Sequence, residues 1–134
     1  MDNRLHCFNK LEELFSLYDK VRQSVILLEN FNEEQKMYIA PINQLRSALD
    51  HIFKAINICD DFEQCEYELR EAKEHLDRAG YDTMELLAAN IGITIVEKLK
   101  RYDTKTITEV FPYYFTTIKP QLTDIKRHCC FIKK

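Results

Sequence analysis

The sequence predicts an all-α protein: one domain over residues 1–134, folded as an up-down-up-down antiparallel four-helix bundle with a long third helix and a proline-kinked fourth. Apolar residues recur at spacings of three and four along four long segments, the signature of helices with one buried face. The chain holds only two glycines and three prolines, too few for a turn-rich β protein. Short connections between long helices make consecutive helices antiparallel neighbours. No internal repeat or low-complexity tract is read along the chain.

The first helix is expected over about Asn3 to Glu29, with Phe8, Leu11, Leu14, Phe15, Tyr18, Val21, Val25 and Leu28 on one face. Asn32 is placed to cap the second helix, with Glu33 and Glu34 in its first turn. That helix runs to about Asn57 on a stripe of Tyr38, Ile42, Leu45, Leu49, Ile52, Phe53 and Ile56; Pro41 either kinks it or marks a later start. Asp60 or Asp61 caps the third helix, which runs to about Arg101 through Phe62, Cys65, Leu69, Ala72, Leu76, Ala79, Met84, Leu87 and Ile91. Gly80 is the candidate break, but the apolar phase crosses it unchanged, so one long helix is expected. Thr104 opens the fourth, whose face is Ile107, Phe111, Tyr114, Ile118, Leu122, Ile125, Cys129 and Ile132, with kinks at Pro112 and Pro120.

Composition narrows the function classes. Hydrophobic residues at 46% and charged residues at 31% describe an ordinary globular chain, and a net charge of −3 gives no reason to expect nucleic acid or an anionic membrane. No stretch reaches the roughly 18 apolar residues of a membrane span, and the N-terminus is amphipathic rather than a signal peptide. Five cysteines without a C-x-x-C spacing favour reduced thiols and a cytoplasmic protein. No cofactor is called for.

Three groups of residues carry possible chemistry. Folded as expected, the chain collects Cys7, Cys59, Cys65, His128, Cys129 and Cys130 at one end of the bundle, thiolate and imidazole types that suit zinc. Against a metal or redox role, Cys65 and Cys129 lie on apolar stripes and read as small buried hydrophobes, with Cys7 incidental. Tyr113 and Phe115, beside Pro112, project off the core stripe, as aromatics at a protein–protein interface do. Finally, Arg46 and His51, and again Arg70 and His75, stand in R-x4-H spacing. By helical wheel His51 points away from the apolar face while Arg46 flanks it, and Glu71 and His75 also fall off that face, so both motifs read as solvated surface.

The R-x4-H spacing, with the stretch Leu76 to Tyr81, resembles HEPN domains, small helical bundles that often dimerise and include metal-independent ribonucleases. The resemblance implies that His51 or His75 does acid–base work on an RNA 2′-hydroxyl while Arg46 or Arg70 stabilises the phosphate. After the arginine this chain has Ser47 or Glu71, where the family usually has Asn, Asp or His. With no nucleotide loop, nucleophile triad or metal chelate, the leading expectation is a non-catalytic interaction or regulatory module acting on a protein partner or as a homodimer. The HEPN-like ribonuclease, with RNA as partner, stands second, and a Cys/His metal- or redox-sensing bundle third.

Overall fold

The computed structural model describes residues 3–31 and 38–131. Every regular element among them is helical. In chain order these are α1 (Asn3–Asn30), α2 (Ile39–Asn57), α3 (Phe62–Leu99), α4 (Thr104–Val110), a π-helical turn (Tyr114–Ile118) and α5 (Lys119–Phe131). Two compact units are formed, Met1–Met84 and Glu85–Lys134.

In the first unit α1, α2 and the start of α3 pack up-down-up. Cys65 Sγ lies 3.2 Å from Cys7 Sγ, and a Cβ at Gly80 would stand 3.6 Å from Val21, so α1 and α3 ascend together. His51 meets Glu68 and Gln44 meets His75, so α2 runs against α3. The core is Cys7, Leu14, Val21 and Val25 of α1, Leu45, Ala48, Ile52 and Ala55 of α2, and Cys65, Leu69, Ala72, Leu76 and Ala79 of α3.

On α1 the core keeps Leu14, Val21, Val25 and Leu28 of the expected stripe, and departs from it at two aromatics and one cysteine. Phe8 and Phe15 are exposed, Phe8 by 64%, and the buried line is Cys7, Leu14, Val21, Leu28. Cys7 is therefore a core residue rather than an incidental one. The reason lies in the partners: the faces that α2 and α3 turn inward carry Ala48, Ala55, Ala72 and Ala79. Small residues at a contact draw helix axes together, which leaves depth for Val and Leu but not for a phenylalanine ring. Phe53, Ile56 and Met84 of the expected stripes are also exposed rather than buried.

The helix ends follow local chemistry. α2 starts at Ile39, which puts Pro41 in the first turn, where its missing N–H costs no hydrogen bond. The predicted cap Asn32 lies outside the described residues. Asp61 Oδ1 accepts from the Gln64 N–H and caps α3. That helix runs through Gly80 without a break, and buried Thr83 spends its hydroxyl on the Ala79 carbonyl at 2.6 Å.

In the second unit α4 is capped by Asp103 rather than Thr104, its Oδ1 accepting from the Thr106 N–H at 2.7 Å. Those hydrogen bonds hold the Asp103 carboxyl below its ordinary value. The fourth segment is broken at Pro112 rather than kinked. A residue before proline is pushed out of the α region, and Phe111 has φ −127° and ψ 77°. The chain resumes as a π-helical turn, with the Ile118 N–H donating to the Tyr113 carbonyl. Pro120 is the second residue of α5, directly after the π-helical turn. Along this segment Ile107 and Tyr114 are buried, while Phe111, Ile118 and Ile125 of the expected stripe are exposed.

Candidate functional site

The two histidines expected on solvated surfaces come together. The rings of His51 and His75 lie near-parallel, 19° apart in tilt with centroids 5.2 Å apart. Both side chains are half-buried, His51 at 18% exposure. Helix geometry explains the meeting. Side chains lean toward the N-terminus of their own helix, and because α2 and α3 are antiparallel, the two imidazoles lean toward each other.

Each ring is held at Nδ1 by the opposite helix. His51 Nδ1 lies 2.6 Å from Glu68 Oε2, and His75 Nδ1 lies 2.6 Å from Gln44 Oε1. A carboxylate and an amide oxygen only accept, so both rings carry a proton on Nδ1. Glu68 is buried, and its second oxygen accepts from Gln64 Nε2. Burial, then the neighbouring His51 and Arg78, push the His75 imidazole below its ordinary value. It is therefore neutral at pH 7.

Gln44 and Glu68 stand in no recognised motif, yet a sequence signal for them exists. Gln44-Leu45-Arg46-Ser47-Ala48-Leu49-Asp50-His51 aligns with Glu68-Leu69-Arg70-Glu71-Ala72-Lys73-Glu74-His75. This is an internal repeat where none was expected, and the two halves behave alike. Leu45 and Leu69, Ala48 and Ala72, Ile52 and Leu76, and Ala55 and Ala79 are buried pairwise. Lys54 pairs with Asp50 at 2.7 Å and Arg78 with Glu74 at 3.0 Å, one turn apart on each helix. The cross-helix bonds are reciprocal, the mark of a two-fold relation between the halves.

The arginines of the motifs do not join the pair. Arg46 and Arg70 are exposed, and the Arg70 guanidinium stacks 5.5 Å over the Tyr67 ring. At the cysteine end Cys7 and Cys65 are buried against one another and Cys59 is exposed. Burial first, then the Cys7 contact, pushes the Cys65 thiol up to about 12. A thiol so protonated is neither nucleophile nor ready ligand. His6 Nε2 lies 3.2 Å from Glu66, which also pairs with Lys10. The side chains of His128, Cys129 and Cys130 lie outside the described residues.

Around Pro112, Tyr113 is 72% exposed, Phe111 52% and Phe115 37%. Phe115 packs edge-on to Tyr114, centroids 4.9 Å apart, and Lys119 Nζ lies 5.6 Å from the centre of the Phe115 ring. Among the described residues no helix is long and apolar enough to cross a membrane, and no group of three or more His, Cys, Asp and Glu is placed to hold a metal ion. No family model, curated protein or solved structure matches this chain.

Proposed function

We propose that this chain is a non-catalytic helical interaction module that associates with a second copy of itself through the aromatic segment around Pro112. The observation that carries this reading is the exposure of Phe111, Tyr113 and Phe115 around a single buried aromatic, Tyr114. Aromatic side chains are enriched at interface cores and anchor binding where they fill a partner's pocket. Light scattering coupled to size-exclusion chromatography of the reduced protein tests it. A dimer that Tyr113→Ala or Phe115→Ala weakens, with helical content and the dilute-limit melting temperature unchanged, is the expected result. A monomer at every concentration sinks the reading.

A second reading, the HEPN-like ribonuclease, is favoured by one observation, the meeting of His51 and His75. Both R-x4-H histidines contribute to one site, as a general acid and base pair requires. RNA cleavage that persists in chelator and disappears in both His51→Ala and His75→Ala supports it. Cleavage absent from the wild-type chain ends it.

A further inference from the structure

We propose that the outer face of the α1–α2 seam is a self-association surface, on which a second copy of this chain seats its own α1 against this α2. Lys10 of α1 pairs with Glu66 of α3, and Gln44 and His51 of α2 meet His75 and Glu68 of α3. The half-buried rows on the other flank of each helix, Leu11 and Tyr18 of α1 and Ile42 and Leu49 of α2, therefore line the seam between α1 and α2. Exposed beside those rows are Phe8 and Phe15 on α1 and Phe53 and Ile56 on α2, with Leu5 at the edge. Heights along the bundle match as well. Cys7 lies against Cys65 and His51 against Glu68, and every helix has the same rise per residue, so Phe53 stands level with Phe8.

A two-fold axis parallel to the helices lays α1 of one copy antiparallel on α2 of the other without changing heights, so Phe8 meets Phe53 twice. The charges agree with that seating. Arg46 lies in the row of Phe53 at the height of Phe15, between the heights of Glu12 and Asp19, which border the phenylalanines on α1. Across the axis it faces those two carboxylates. Size agrees too. At 44–64% exposure, and with about 200 Å² for a whole large side chain, the five apolar residues offer roughly 500 Å² per copy. Two copies hide roughly 1,000 Å² before the half-buried rows and the polar rim are counted, about the least that a specific interface needs. This surface belongs to the first unit, whereas the aromatics around Pro112 belong to the second. A chain with both surfaces self-complementary assembles beyond the dimer.

Sedimentation equilibrium of the reduced full-length chain tests it, over a concentration series in the wild-type and the Tyr113→Ala chain. The variant lacks the Pro112 anchor, so the α1–α2 surface is read by itself and its failure is separable from failure of the Pro112 reading. A monomer–dimer equilibrium is expected to persist in Tyr113→Ala. In that chain Phe8→Ser and Phe53→Ser, both at side chains outside the core, are each expected to weaken association about tenfold. Arg46→Glu is expected to weaken it roughly fivefold at low salt and to lose that effect at high salt. Far-ultraviolet circular dichroism of each variant is expected to match the parent. A Tyr113→Ala chain that is monomeric at every concentration overturns the proposal; beside a dimeric wild type it leaves the Pro112 reading standing. Association unchanged by Phe8→Ser and Phe53→Ser combined overturns it too. The Tyr113→Ala series alone decides the first outcome, so that outcome does not depend on any α1 or α2 variant folding.

Discussion

At the scale of single residues, the most consequential side chain is His75. Its imidazole is held below the ordinary value of 6.5 by burial, by His51 and by Arg78, while Glu71 and Glu74 pull the other way. From about pH 6.5 downward the unfolded chain takes up a proton at this position that the native state still refuses, so native stability falls on acidification through that window. Urea midpoints at pH 7.5 and 5.5 are expected to show the loss, and His75→Gln is expected to flatten part of it. A slope identical in the variant would mean that other groups carry the effect. Two further substitutions separate packing from backbone. Leu76 is fully buried, and Leu76→Ala is expected to cost about 2–5 kcal/mol in urea unfolding, transfer and cavity contributions together. Gly80 lies inside a continuous helix, where an added Cβ makes ordinary contact with Val21. Gly80→Ala is therefore expected to stabilise the protein, by about 0.5–1 kcal/mol.

Among the elements, helix positions were legible and helix faces only partly so. Both ends of α1 and α3 and the end of α2 fall within a few residues of where periodicity and capping residues put them, because those signals are local; α2 starts at Ile39, the later start that Pro41 allows. On α1 the buried face was legible at Leu14, Val21, Val25 and Leu28 and missed at Phe8, Phe15 and Cys7. Phe8 and Phe15 carry more hydrophobicity than Cys7, and only the alanines of the neighbouring helices exclude them from the core. The histidine pair was hidden for a related reason. A helical wheel reports direction relative to the mean apolar face, whereas His51 and His75 are buried by the seam between two helices. The repeat that joins them lies across two helices, each with its own apolar phase. Pro112 was legible as a disturbance, and its effect follows from the residue before it: Phe111 leaves the α region and α4 ends. Pro112→Ala removes that restriction and is expected to raise helical content by far-ultraviolet circular dichroism as α4 extends toward the π-helical turn. Asp103→Ala acts in the opposite sense, releasing the Thr106 N–H and lowering the melting temperature.

For the molecule as a whole, the two units differ in how their apolar residues are covered. The first has a contiguous core drawn from three helices, whereas the α4–α5 segment, among its described residues, buries Ile107 and Tyr114 and leaves Val110, Phe111, Tyr113 and Ile125 exposed. That contrast makes concentration the natural variable. Assembly through this segment is expected to raise the melting temperature as protein concentration rises, and Tyr113→Ala is expected to abolish its share of the dependence while preserving the dilute-limit value. The reciprocal bonding of α2 and α3 has its own consequence. What α2 offers α3 it also offers another α2, since Gln44 and His51 of one helix match His51 and Gln44 of an antiparallel copy. The short link through Ile58, Cys59, Asp60 and Asp61 settles the choice by keeping α3 at high effective concentration beside α2. Shortening that link until it cannot span the turn is therefore expected to produce intertwined oligomers, in which the hairpin exchanges its second arm between chains.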